Sequence, residues 1–139
     1  MSVEKNKAAI HRNVDELWNK GKLAVADDVI SPDYVYHSPL GEFKGPEGFK
    51  KMVAMELKAF PDIHFTIDDM VAEGDKVAVR YTFTGTFKGE YAGMAPTGKK
   101  ISMTAAFFYR FKDGKQVEAL PFSDMLSFYQ QAGVKPPGQ

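Results

Sequence analysis

The apolar positions of this chain change period partway along it. From Val3 to Asn19 they recur at helical spacing: Ile10, Val14, Leu17 and Trp18 fall at i, i+4, i+7 and i+8. That single stripe predicts an amphipathic helix, stopped by Gly21. Leu23 to Ile30 predicts a second, shorter helix, ended by Ser31-Pro32 because proline disfavours helical backbone in the residue before it. Asp33 to Pro39 reads as a short extended segment near a sheet edge, and Gly41 to Gly45 as a loop. Pro46 suits a first helical turn, where its missing N–H costs nothing. The third helix then runs to about Phe60, with Phe49, Met52, Val53, Leu57 and Phe60 on one face, and Pro61-Asp62 ends it.

Beyond that point the period falls to two. His64 to Val71 is a first strand, followed by the polar turn Glu73 to Lys76. Val77 to Phe87 alternates, with Val77, Val79, Tyr81 and Phe83 on one side and Ala78, Arg80, Thr82 and Thr84 on the other. Lys88 to Lys100 is a glycine-rich loop carrying Met94. Ile101 to Phe111 is a long strand, Asp113-Gly114 a hairpin turn, and Gln116 to about Met125 the last strand. Leu126 to Ala132 is a terminal helical turn with Gly133 as its stop, and Lys135 to Gln139 a frayed tail. Helices first and strands after define an α+β fold. A curved antiparallel sheet wrapped over three N-terminal helices leaves a deep pocket open at one end. Residues 1–139 read as a single domain. The outer side of the sheet would carry Arg80, Thr82, Thr84, Thr104, Ala106 and Arg110 around Phe108, a flat surface expected to form a homodimer.

Composition narrows the partners. Eighteen basic and eighteen acidic residues cancel, so no basic stripe exists to hold nucleic acid. No run approaches the ~20 apolar residues of a membrane span. The start, Met1 to Lys7, lacks a signal-peptide core, and cysteine is absent, so a cytoplasmic location is expected. Eleven Phe, six Tyr and seven Met can line a cavity as well as fill a core. A small apolar ligand is therefore expected.

Asp124 is the first candidate for acid–base chemistry. It follows Phe122 and precedes Met125 and Leu126, and a carboxylate against aromatics is desolvated, which raises its pKa. The same position also suits a helix cap, as Asp often does. His37, in Tyr36-His37-Ser38-Pro39, could polarise a carbonyl or instead serve a structural hydrogen bond. The three His include no close pair of the kind that metal sites use, and no phosphate loop or nucleophile elbow is present, so neither metal nor cofactor is expected. For the pocket wall the alternation selects Trp18, Tyr34, Tyr36, Met55, Phe60, Tyr81, Phe83, Met94, Phe107, Tyr109 and Phe122, with the Met94 loop as a possible lid. About half of these are expected to be plain core.

An ordered set of short segments carries a family resemblance. It comprises Phe43-Lys44-Gly45-Pro46-Glu47-Gly48, Phe60-Pro61-Asp62, Ala72-Glu73-Gly74-Asp75-Lys76-Val77, Phe83-Thr84-Gly85-Thr86-Phe87-Lys88-Gly89, Pro96-Thr97-Gly98-Lys99-Lys100-Ile101, Tyr109 to Lys115, and Asp124-Met125-Leu126. Together these resemble the SnoaL-like polyketide (ester) cyclase family, within the group of folds named after nuclear transport factor two and also called cystatin-like. The resemblance implies a cone-shaped α+β domain with a deep pocket and cofactor-free ring closure by acid–base side chains. Two positions depart from the cyclase pattern. The strand Ala105 to Arg110 has no His, and Leu120-Pro121 replaces an aromatic and its neighbouring acid. Pro121 also lacks a ladder donor, which predicts an edge or a bulge there.

The first reading is thus an enzyme acting on a small apolar carbonyl compound by proton transfer, with Asp124 as base and His37 or a Tyr hydroxyl as polariser. The second is a binding or accessory domain that keeps the pocket without the chemistry. A third, an epoxide hydrolase or dehydratase, would need a buried carboxylate–Arg pair, and Arg80 and Arg110 point away from the pocket in the predicted phase.

Overall fold

The computed structural model describes residues 2–38 and 41–136. Pro39 of the expected extended segment and residues 137–139 of the expected tail lie outside them.

The first apolar stripe forms helix α1 (Val3–Arg12), whose Ser2 hydroxyl accepts the Lys5 N–H at 3.2 Å. The stripe then continues as a wider π-helical segment, Asn13–Trp18, in place of the single α-helix expected. The Asn19 N–H reaches back five residues to the Val14 carbonyl at 2.9 Å. This extra residue in the turn lets Val14, Leu17 and Trp18 all face the core. Asn19 then grips the sheet: its side chain donates to the Phe65 carbonyl at 2.9 Å and accepts the Phe65 N–H at 2.8 Å.

The second helix is shorter than its pattern predicts. A 3₁₀ turn, Leu23–Val25, leads into one α-turn, α2 (Ala26–Val29), and Ile30 is already extended. Ser31-Pro32 therefore lies inside strand β1 (Ile30–Ser38). Pro32 fits there because the β1–β6 register is interrupted between Ile30 and Val35, where no ladder donor is required. The expected loop before the third helix is a second strand, β2 (Gly41–Lys44), paired antiparallel to β1. Helix α3 (Gly45–Ala59) follows, with Pro46 in its first turn. Strands β3 (His64–Glu73), β4 (Lys76–Thr86), β5 (Lys100–Lys112) and β6 (Lys115–Ser123) come next, and α4 (Met125–Ala132) ends on Gly133.

The strands form one curved, unclosed six-stranded sheet in the order β2-β1-β6-β5-β4-β3. Strands β3 to β6 make the expected antiparallel meander. The extended segment does not lie at the edge: β1 joins β6 in parallel, and β2 takes the edge. Register breaks at Ile67/Asp69 and Arg110/Phe111 bend the sheet. Among the described residues the β1–β6 pairing runs as far as Ala119, short of Pro121, which lacks a ladder donor. Helices α1, α3 and α4 pack against the sheet, α3 on β1 and β2, α4 on β5. Among the described residues no helix is long and apolar enough to cross a membrane.

Candidate active site

Between α3, α4 and the concave side of the sheet lies a cavity of about 260 Å³, near the lower end of the roughly 300–1,000 Å³ usual for small-molecule sites. Trp18, Met52, Phe65, Phe83 and Phe107 line it, together with Ser38, Phe43, Met94, Ser123, Met125 and Tyr129 among others. The Asn19–Phe65 clip fixes Trp18 against Phe65, with ring centroids 4.9 Å apart.

One ionisable carboxylate lines this apolar surface: Glu56. The buried face of α3 presents Phe49, Met52, Val53 and Phe60 to the core, and Glu56, seven residues after Phe49, continues that stripe. Burial raises its pKa from 4.5 to about 7, against the opposing effect of a hydrogen bond from the Tyr91 hydroxyl. Its carboxyl group is therefore near half-ionised at neutral pH, where a general base works best.

Tyr91 comes from the loop between β4 and β5. The Lys88 and Gly89 N–H groups both bond to the Ala59 carbonyl, at 2.9 and 3.1 Å, which ties the loop to the C-terminal end of α3. Only glycine fits at 89, because a Cβ would collide with the Lys58 carbonyl. Tyr91 then packs against Phe60 and Phe128, with centroids at 5.5 and 5.8 Å, and turns back through paired bonds with Met94. Tyr36 lines the cavity as well, and burial followed by the charge of Glu56 pushes its phenol up, so it stays a proton donor.

Of the residues that the strand phases selected, Trp18, Tyr36, Met55, Phe60, Phe83, Met94 and Phe107 line the cavity. Tyr34, Tyr81 and Tyr109 do not; they are buried in the core. Phe122 is 60% exposed on the opposite face of the sheet. On β6 it is Pro121 and Ser123 that face the cavity, so Phe122 falls on the outward phase.

Asp124 is exposed and caps α4, its carboxylate accepting the Ser127 N–H at 3.0 Å. It is outside the lining, whereas its neighbours Ser123 and Met125 are part of it. His37 also lies outside the lining. Its Nδ1 is 3.2 Å from Glu42 and its Nε2 is 3.1 Å from Glu118, which in turn is 3.6 Å from Arg110. The residues that the strand and helix patterns did not single out are Glu56 and Tyr91. A charged residue within the α3 stripe was the available signal for Glu56; nothing local marks Tyr91. Among the described residues no group of three or more His, Cys, Asp or Glu could hold a metal ion.

A curved, unclosed α+β sheet packed on helices, with an aromatic cavity on its concave side, is a fold of the nuclear transport factor two-like class. Comparison with known proteins specifies it further. Residues 8–132 match the SnoaL-like polyketide cyclase family, and the chain belongs to it. It is 34% identical over 131 residues to the aklanonic acid methyl ester cyclase AcmA of Streptomyces galilaeus, covering 91% of this chain and 89% of AcmA. Among solved structures it is similar to AclR from Streptomyces galilaeus, with a TM-score of 0.82 and 34% identity over 97% of this chain and all of that one. It also shares its fold with TsrD from Streptomyces laurentii, with a TM-score of 0.88 and 24% identity over 97% of this chain and 99% of that one.

Proposed function

We propose that this protein is an acid–base enzyme that removes a proton from the carbon beside a carbonyl in a small, largely apolar compound. The resulting enolate attacks a second carbonyl, closing a ring, as the name of AcmA implies for that cyclase. In this reading Glu56 accepts the C–H proton, and the Tyr36 hydroxyl donates to the oxygen that becomes the enolate. Glu56 then returns its proton to the new alkoxide, so no group outside the chain is consumed. Glu56 takes the role expected of Asp124, and Tyr36 the role of polariser. The observation that carries the reading is a carboxylate held near a pKa of 7 on the wall of an aromatic cavity.

The test uses 2-tetralone, a bicyclic ketone with acidic C–H bonds, in deuterated buffer. The wild-type protein should accelerate hydrogen–deuterium exchange at the carbon between ring and carbonyl, and Glu56→Gln should slow that catalysed exchange by about 100-fold or more. Exchange that survives in Glu56→Gln removes Glu56 as the base. A wild type that binds the ketone but does not accelerate exchange favours the reading as a binding domain. We also propose that the uncovered face of the sheet pairs with a second copy of the chain.

A further inference from the structure

We propose that the cavity also takes small lipophilic amines as their ammonium ions, the ammonium group pairing with the Glu56 carboxylate. This goes beyond the ketone reading, because it uses the charge of that carboxylate and not its role as a base.

The cavity carries charge of one sign. Among the described residues Glu56 is the one charged side chain that lines it, and no Lys, Arg or His does. The other titratable groups on the wall are Tyr36 from β1, Tyr91 from the loop between β4 and β5, and Tyr129 from α4. A phenol carries no positive charge in either protonation state. No ion pair among the described residues includes Glu56. Its carboxylate accepts a hydrogen bond from the Tyr91 hydroxyl and has no counter-ion. In apolar surroundings that state is costly.

A proton relieves the cost, which is why the carboxyl stays half-protonated at neutral pH. A cation relieves it too, and the wall selects which kind. A hard metal ion takes roughly six or more oxygen ligands, and no group of three or more His, Cys, Asp or Glu is present among the described residues. An organic ammonium ion needs one carboxylate, and an apolar surface for the rest of the molecule. The cavity supplies both. Phe60, Tyr91 and Phe128 line it, with ring centroids 5.5, 5.8 and 6.1 Å apart in pairs, and aromatic faces attract a desolvated cation. A ligand that bears a carboxylate meets repulsion from Glu56 instead, so the cavity discriminates by sign of charge. An amine held on Glu56 also occupies the proposed base, so it should inhibit exchange of 2-tetralone.

The experiment compares 2-aminotetralin, tetralin and tetralin-2-carboxylate, which share one ring system and differ in charge, by isothermal titration calorimetry. At pH 8 wild-type protein should bind the amine at least about tenfold more tightly than tetralin, and the carboxylate more weakly than tetralin. At pH 5, where Glu56 is protonated, the advantage of the amine should shrink by about tenfold or more. Titrations at pH 7 in phosphate and in Tris, which differ in ionisation enthalpy, should show about half a proton released per amine bound. Glu56→Gln should lose both the advantage and the proton release while still binding tetralin. The pH dependence and the proton release are read on wild type, so they decide the matter even if the variant fails to fold. A wild type that binds the amine no better than tetralin, or an advantage that survives in Glu56→Gln, overturns the proposal. Amine binding without ketone exchange would remove the enzyme reading and keep this site; ketone exchange that the amine does not inhibit would do the reverse.

Discussion

A carboxylate in the middle of an apolar helix stripe works against the fold whenever it is ionised, and Glu56 makes that effect measurable. Its pKa in the folded protein, about 7, lies above its ordinary value of 4.5. Between those two pH values the native state therefore holds more protons than the unfolded chain, and stability falls as pH rises through the window. Below it, the acid is neutral in both states and the effect is absent. The gap corresponds to at most about 3 kcal/mol, less where water reaches the half-buried group. Urea unfolding of wild type and Glu56→Gln at pH 4.5, 6 and 8 should show the variant gaining on wild type as pH rises; parallel curves would contradict a buried acid. Asp124 gives the contrasting case. Its carboxylate holds the Ser127 N–H on an exposed helix end, so Asp124→Ala should cost about 1 kcal/mol in the same assay and leave 2-tetralone exchange at the wild-type rate. A loss of exchange there would return the base to Asp124. The sequence pattern points to Asp124, which satisfies a cap pattern and a pocket pattern together, and does not single out Glu56. Glu56 was marked only by its position in the stripe of Phe49, Met52, Val53 and Phe60.

Among the elements, the loop between β4 and β5 connects local sequence to the candidate site. Its path is set by Gly89, which lies against the carbonyl end of α3 where a side chain cannot fit. That path brings Tyr91 to Glu56. The Tyr91 hydroxyl stabilises the charged carboxylate, so removing it should raise the pKa of Glu56 further. Tyr91→Phe should move the acid limb of the pH–rate profile for 2-tetralone exchange above pH 7, while Gly89→Ala should do the same and also lower thermal stability. A limb that stays in place in both variants would show that the loop does not act on Glu56. This is also where sequence reading stops. The helix stripe and the strand alternation are local, and they located α1, α3 and the four-strand meander closely. The parallel union of β1 with β6 depends on residues more than eighty positions apart, such as Tyr36 and Ala119, and no periodicity reports it. Alternation likewise tells which face a residue takes but not how deep it lies. Tyr109 shares a face with Phe107, yet Phe107 lines the cavity and Tyr109 sits in the core behind it.

At the scale of the whole molecule the concave side of the sheet is covered by helices and the convex side is bare. On that bare side Phe108 is 50% exposed, Leu120 37% and Phe122 60%. Phe108 pairs with Leu120 across β5 and β6, and its ring is 5.8 Å from that of Phe122, so the three form one patch. Salt-bridged charges adjoin it: Arg110, Glu118, His37 and Glu42 on one flank, Arg80 and Asp68 on the other. An apolar centre with a charged rim is the arrangement of a protein interface. Fully burying such side chains contributes roughly 1.5–3 kcal/mol each, and a two-fold pairing would count the patch twice. Light scattering coupled to size-exclusion chromatography should therefore give twice the chain mass at micromolar concentration. Phe108→Asp with Phe122→Asp should give a folded monomer, because neither ring supports the helix-covered side. None of Phe108, Leu120 and Phe122 lines the cavity, so the monomer should still bind 2-tetralone. A wild type that runs as a monomer would refute the pairing and leave the patch without an occupant.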